Sequence, residues 1–491
     1  MNPEKSQIEI GKILSEREEW LLVETATGKS FALRRAEIEI FTESEKLFFG
    51  FLDENGFQTW RVENWTFEKG KLHFNLTRNF RRERRKIELV SRVSAAELTN
   101  SLELARFEKA SRIAGLIVES QPKAKLVRVA LNKESGRFAQ IVFDNPNGKQ
   151  TAALADVSGE ASPEKLLTTA ILWLEKLCNR KKNKVETIWI LSEKKTAKDL
   201  MKLHALFRRN WQAKIKVYEI SRAANSETTL DYLAANFEDL WSGKPKKISA
   251  VNSAEMSETA QEIIRLASEE IDVVYTRHGE TLRFSGLPFA RVRKIFGEEK
   301  AWFGTENKRQ SLNEKTYDEF TKLIENLKIY RRFDSANKRH AFYTLAPESW
   351  LESILRKNIK LLDANLILSP IHNQFRISGD RIDLLALRKD GRLVVIELKT
   401  SADREMIFQA ADYWREAELQ RLSGNLQKAK IFGELQISNE SALVYLVAPT
   451  LSFHRDFKFL ASTVSPEIEI ARFDLNENWR EDLKVLGRKM I

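Results

Sequence analysis

The chain has 491 residues, 42% hydrophobic and 31% charged, an ordinary globular composition at a length that calls for three or more domains. Its formal net charge of +11 favours a polyanionic partner, and the lack of any run near the ~20 apolar residues of a helical span excludes that kind of membrane protein. A single cysteine excludes an internal disulfide, six scattered histidines fit a structural zinc site poorly, and the start MNPEKSQIEIGK has no signal-peptide core, so a cytoplasmic protein is expected.

The pattern predicts an α/β multidomain fold. Residues 1–95 alternate in short β-like runs, EWLLVET, SFALRRA, KLFFGFLD, QTWRVENWTFE and KLHFNLTR, which predict a small antiparallel β domain. They end in a basic cluster of Arg78, Arg81, Arg82, Arg84, Arg85 and Lys86. That cluster is either a solvated strand edge or a phosphate-contacting strip beside Trp60, Trp65 and Phe80. Residues 96–225 change period to helix, three strands, helix, strand, helix, strand, an α/β domain. Residues 226–340 predict a connector of helices and one hairpin. Residues 341–491 predict helix, strand, hairpin, helix, strand, helix, strand.

The hairpin RIDLLALRKDGRLVVIELKTS places charges in apolar runs. A two-residue turn at Asp390-Gly391 would send Asp383 and Glu397 to opposite faces. A three-residue loop, Lys389-Asp390-Gly391 with Gly391 in the left-handed region, sets Asp383 opposite Glu397 instead. The bulged loop is the prediction, with Ile396 and Leu398 facing the core. Directly opposed side chains lie about 4.5–5.5 Å apart at Cβ, so two carboxylates there repel unless a positive charge lies between them. Mg²⁺ or Mn²⁺ meets that need, since such ions take carboxylate oxygens and keep several waters. A bound ion of this kind activates water and polarises phosphoryl oxygen, and Lys399 would stand beside that water. The bland alternative is a buried salt bridge of Lys399 with Asp383 or Glu397.

Asp, about a dozen residues, then Glu-x-Lys on a hairpin resembles the PD-(D/E)XK nuclease superfamily. VVIELK is most similar to the Holliday-junction resolvase and mismatch/flap endonuclease branches. The resemblance covers the last ~150 residues and implies a restriction-endonuclease-like core, αβββαβ on a mixed sheet. It implies that a preceding helix, here APESWLESIL, supplies a third metal ligand, Glu348, with Glu352 as the fallback one turn on. It also implies that Gln409 and Tyr413 in FQAADYW assist from the following helix. No Pro-Asp pair precedes Asp383, which departs from the family pattern. The implied activity is hydrolysis of DNA, duplex or branched, in repair, recombination or defence, and relatives of the resolvase branch pair as homodimers.

Laying ALADVSGEASPEKLLTTAILWLEKL under VVIELKTSADREMIFQAADYWREAE puts Asp156 under Glu397 and Trp173 under Trp414. Ser158 then falls at Lys399, Thr168 at Gln409 and Val142 at Asp383. Glu103 and Glu108 lie on the preceding helical run. Residues 96–225 therefore read either as a second nuclease-like core without the catalytic groups or as an unrelated α/β domain.

VVYTRHGET offers a rival, a histidine-phosphatase-like Arg277-His278-Gly279. It lacks a second histidine in a suitable setting and is followed by a strand pattern, so a hairpin turn at His278-Gly279 explains it better. A non-catalytic DNA-binding protein on a nuclease fold is the other alternative. Lys338 and Arg339, leading into the Glu348 helix, are candidate phosphate contacts. Phe207-Arg208-Arg209 and Lys244 to Lys247 read as surface charge.

Overall fold

A computed structural model describes the chain except residue 1 and residues 26–29, 54–55, 69, 79–82, 92–94, 181–184, 223–227, 242–244, 246–255, 277–278, 296–297, 306–308, 370–375 and 378–379. The chain forms two compact units: Met1–Leu200 with Ala213–Ala234, and Met201–Gln212 with Ala235–Ile491. No helix among the described residues is long and apolar enough to cross a membrane.

The first unit opens with a helix, Pro3–Ser15, that the β-like reading of residues 1–95 did not predict. Its start is nonetheless written locally. The Asn2 side chain accepts from the Lys5 backbone N–H at 3.2 Å, Pro3 stands in the first turn, and Glu4 follows it. Ile10 and Leu14 are buried against Trp20, Phe49 and Trp60 of a seven-stranded antiparallel sheet. That sheet runs in the order Ser30–Arg34, Glu19–Glu24, Glu83–Ser91, Lys71–Arg78, Gly56–Glu68, Lys46–Asp53, Ile38–Glu43.

Next comes a six-stranded sheet. Helix Ala95–Ser120 shares a core cluster, through Ala110, Ile113, Ala114 and Ile117, with Ala139, Ile141 and Phe143 of the strand Phe138–Asp144 and Ala153 and Ala155 of the strand Gln150–Asp156. Helix Pro163–Cys178 begins where Ser162 caps it, its side chain accepting from the Lys165 N–H, and packs on Gln150–Asp156 and Val185–Glu193. In sheet order the strands are Lys125–Leu131, Phe138–Asp144, Gln150–Asp156, Val185–Glu193, Ile215–Arg222 and Thr228–Leu233. Neighbouring pairs are antiparallel, antiparallel, parallel, parallel and antiparallel.

In the second unit the expected connector is a sheet in its own right. Five antiparallel strands, Ile271–Thr276, Gly279–Phe284, Leu287–Ile295, Glu298–Phe303 and Gln310–Ser311, are covered by helices Glu258–Arg265 and Tyr317–Tyr330. Thr276 pairs with Gly279, so Gly279 stands in the strand and not in the turn expected at His278-Gly279. Arg277 and His278 lie outside the described residues, while the strand Gly279–Phe284 stands where a phosphatase would need a helix.

The last sheet carries the candidate site. Helix Pro347–Lys357 precedes strands Leu366–Leu368, Leu384–Arg388 and Leu393–Leu398. Helix Met406–Leu422 then leads to strand Leu443–Pro449, helix Phe457–Ala461, and strands Ile470–Leu475 and Val485–Met490. The six strands keep chain order across the sheet, and neighbouring pairs are again antiparallel, antiparallel, parallel, parallel and antiparallel. Trp350, Leu351 and Leu355 of the first helix pack on Val394, Ile396 and Leu398. Of Phe207-Arg208-Arg209, expected as surface charge, the two arginines are exposed and Phe207 is not. Phe207 is buried and bridges Val464, and the Arg208 Nε donates to the Val464 carbonyl at 3.0 Å.

Candidate active site

The hairpin adopts the bulged register. Leu384 pairs with Ile396 and Leu387 with Leu393, and Arg388 and Gly391 close the loop through the Gly391 N–H to Arg388 carbonyl bond at 2.8 Å. Gly391 sits at φ +84°, where a side chain is strained, and a Cβ there would meet the Gln436 carbonyl at 2.9 Å. The same register carried one residue further sets Asp383 opposite Glu397. Asp383 Oδ2 accepts from the Leu398 backbone N–H at 2.9 Å, which pins the carboxylate against the end of the neighbouring strand.

Glu397 is 2% exposed, and its Oε2 has no hydrogen-bond partner among the described residues. Burial first, and then the charge of Asp383, hold its carboxyl well above the usual carboxylate range. Lys399, on the same face, places Nζ 3.0 Å from Glu397 Oε1 and 3.2 Å from Asp403 Oδ2. Burial opposes its charge, yet Glu397 and Asp403 outweigh that and raise its pKa. Sequence reasoning missed Asp403. It lies in the irregular stretch before helix Met406–Leu422, and its only signal is its place four residues after Lys399.

The three expected carboxylates do not converge. Among the described residues no group of three His, Cys, Asp or Glu side chains forms a metal-binding set. Glu348 Oε1 instead accepts from the Thr400 hydroxyl at 2.7 Å and from its N–H at 3.3 Å. The fallback, Glu352, is 1% exposed and committed elsewhere: Oε1 takes Arg356 Nε at 2.7 Å and Arg283 Nη1 at 3.3 Å. Arg283 itself pairs with Asp272 at 2.7 Å. Gln409 and Tyr413 are half-buried on one face of helix Met406–Leu422, and Gln409 Oε1 is buried without a hydrogen-bond partner among the described residues. Trp414 is core, its Nε1 donating to the Ala442 carbonyl at 2.8 Å.

Two donors on a rigid strand pair, one with an unsatisfied buried oxygen and a proton-favouring environment, match the all-oxygen preference of Mg²⁺ or Mn²⁺. The fit is to a pair of ligands, Asp383 and Glu397, with Lys399 alongside.

The remaining candidates are scattered. In the first unit, Trp60 is 2% exposed, so it offers no stacking platform. Arg78 and Arg85 lie over its ring at 4.5 and 4.7 Å, Arg78 also pairs with Glu83 at 2.8 Å, and Arg85 reaches Glu24 at 3.5 Å. Of the predicted phosphate strip, Arg84 stays exposed, while Phe80, Arg81 and Arg82 lie outside the described residues. In the second unit, Lys338 and Arg339 are exposed ahead of the short helix Ala341–Thr344. Lys244, Lys246, Lys247 and His372 lie outside the described residues.

Asp156, which the sequence alignment sets under Glu397, ends the strand Gln150–Asp156 of the other six-stranded sheet. Its Oδ1 accepts from the Ser158 N–H at 2.9 Å and hydroxyl at 2.7 Å, and Oδ2 from the Ala161 N–H at 3.0 Å. The residue opposite Asp156 is Phe138, and Val142 pairs with Ala152, which corrects the placement of Val142 under Asp383. A straight sequence offset fails there although the two loops are equally long, because Asp156 and Phe138 lie six residues from the Gln150–Asp144 pair while Glu397 and Asp383 lie four from the Leu393–Leu387 pair.

No protein-family model matches the chain, and no curated protein matches it. One similar solved structure is that of EndoMS in apo form, with 14% sequence identity over 40% of this chain and 90% of that chain, at a TM-score of 0.15. At that score the likeness bears on neither fold nor function.

Proposed function

We propose that the C-terminal part of the chain is a restriction-endonuclease-like αβββαβ core that hydrolyses phosphodiester bonds in DNA with Mg²⁺ or Mn²⁺. Asp383 and Glu397 are the proposed ligands, and Glu348 is assigned to holding Thr400 beside them. The observation that carries this is the buried, unsatisfied Glu397 Oε2, set next to Asp383 and two strand positions from Lys399. When bound, the ion would lower the pKa of a water and polarise the phosphoryl oxygen.

The chain's own groups do the rest. Lys399, kept charged by Glu397 and Asp403, orients the attacking water and offsets negative charge developing on the phosphate. Asp403 positions Lys399. Gln409 and Tyr413 hold the nearby strand of the substrate.

The matching strand order and pairing pattern of the two six-stranded sheets support a duplicated core. In residues 96–225 the metal-facing pair is replaced by Asp156 and Phe138, and the lysine by Ser158. That half is proposed as a non-catalytic docking module.

The test is incubation of wild type and Lys399→Ala with branched, single-stranded and duplex oligonucleotides in Mn²⁺. Cleavage by the wild type alone is expected, and equal cleavage by both would remove the assignment. A second function has one specific observation behind it. Lys399 already lies between Glu397 and Asp403 without any cation, as it would in a binding protein on this fold. Binding of the same oligonucleotides with no metal-dependent turnover would favour it.

A further inference from the structure

The second unit holds a cavity of about 660 Å³, within the size of small-molecule sites. It lies between the five-stranded sheet and helix Pro347–Lys357 and is lined by Arg265, Lys328, Arg331, Arg332, Lys357 and Arg480 against only two acids, Glu269 and Glu270. Its deeper wall is cationic, and neither Arg331 nor Arg480 has an ion pair among the described residues. Arg331 is fully buried, and its donors all go to main-chain carbonyls, those of Phe284, Ser285, Phe342, Leu345 and Ala346. Arg480 lies over Trp350 of that wall at 5.2 Å and over Trp479 at 4.3 Å, and its buried Nε has no hydrogen-bond partner among the described residues.

The two guanidinium charges oppose each other. Burial, then Arg480, pushes Arg331 down to about 9, and burial lowers Arg480 as well. A folded protein holds two such charges together at a cost, and an anion entering the cavity removes it. The mouth adds exposed Arg265 and Lys328 together with Phe333, an aromatic ring 44% exposed.

We infer that this cavity binds the phosphate of a nucleotide, with Arg480 and the rim lysine and arginine on the phosphate and Phe333 against the base. An exposed ring beside phosphate-binding cations selects a nucleotide over a bare oxyanion, since base–aromatic stacking contributes about 1–3 kcal/mol. The site uses neither Asp383 nor Glu397 and needs no metal and no cleavage. Free nucleotides and nucleic-acid strands share this chemistry, and the probes separate them.

The full chain in EDTA is titrated by calorimetry with inorganic phosphate, ADP, and a single-stranded oligonucleotide with and without a 5′ phosphate. At least one nucleotide probe is expected to bind more tightly than about 1 mM. Saturation by ADP identifies a free nucleotide as the ligand, and preference for the phosphorylated strand identifies a strand end. Lys328→Glu with Arg265→Glu, both at exposed positions, is expected to weaken that probe at least tenfold, and Phe333→Ala to weaken the nucleotide but not inorganic phosphate. Arg480→Gln extends the series to the floor, with thermal unfolding checked for every variant. No binding by any probe, or unchanged binding in the folded Lys328/Arg265 variant, overturns the inference. Because no metal is present, neither result depends on whether the chain cleaves DNA.

Discussion

At the scale of single residues, Glu397 and Lys399 have opposite relations to their surroundings. Lys399 gains from its neighbours, while Glu397 in the metal-free protein is better protonated. Between the ordinary carboxyl value of 4.5 and its raised folded value, Glu397 keeps its proton in the folded state and loses it in the unfolded one. Stability of the metal-free protein therefore falls as pH rises through that window. Thermal unfolding of wild type and Glu397→Gln from pH 4.5 upward checks this. The variant is expected to lose that slope, and equal slopes would place the titration elsewhere. Asp403→Asn should lower kcat through misplacement of Lys399, by less than the ~10²-fold or more expected for Lys399→Ala. Steady-state kinetics of both variants in Mn²⁺ measures the order.

Helix Pro347–Lys357 assigns its two glutamates different work. Glu352 closes a buried network with Arg283 and Arg356, so Glu352→Ala should cost about 3 kcal/mol in urea unfolding. Glu348→Ala, losing only its bonds to Thr400, should cost about 1 kcal/mol. Equal losses would mean the network contributes nothing. The hairpin was legible in sequence because a single residue type, Gly391, tolerates its conformation and because its apolar alternation admits one register with Asp383 opposite Glu397. Glu352 was not legible, because its partner Arg283 lies 69 residues away on another sheet. The hairpin that carries Arg283 was expected, but the further strands of its sheet were missed, since a strand such as EEKAWF opens with three consecutive exposed charges and breaks the alternation. The N-terminal helix was missed although Asn-Pro-Glu marked its start, because the β-like runs after it dominated the pattern. Asp403 sits in irregular backbone, where spacing does not determine which side chains meet.

For the molecule as a whole, a net charge of +11 and exposed cations such as Lys328, Lys338 and Arg339 predict DNA affinity that falls with salt. Each phosphate contact contributes about −0.7 to −0.9 to the slope of log K against log salt. Anisotropy titrations from low to physiological salt read that slope directly, and a flat response would deny the basic surface a role. Two sheets of one topology, of which one keeps a carboxylate pair with lysine and the other Asp156 with Ser158, predict a single metal centre per chain. The most direct measurement of the central claim is Mn²⁺ titration of the wild type, Asp383→Asn and Glu397→Gln. One Mn²⁺ per wild-type chain, with affinity weakened at least about tenfold in each variant, is the predicted result. Unchanged Mn²⁺ affinity in both folded variants would contradict it.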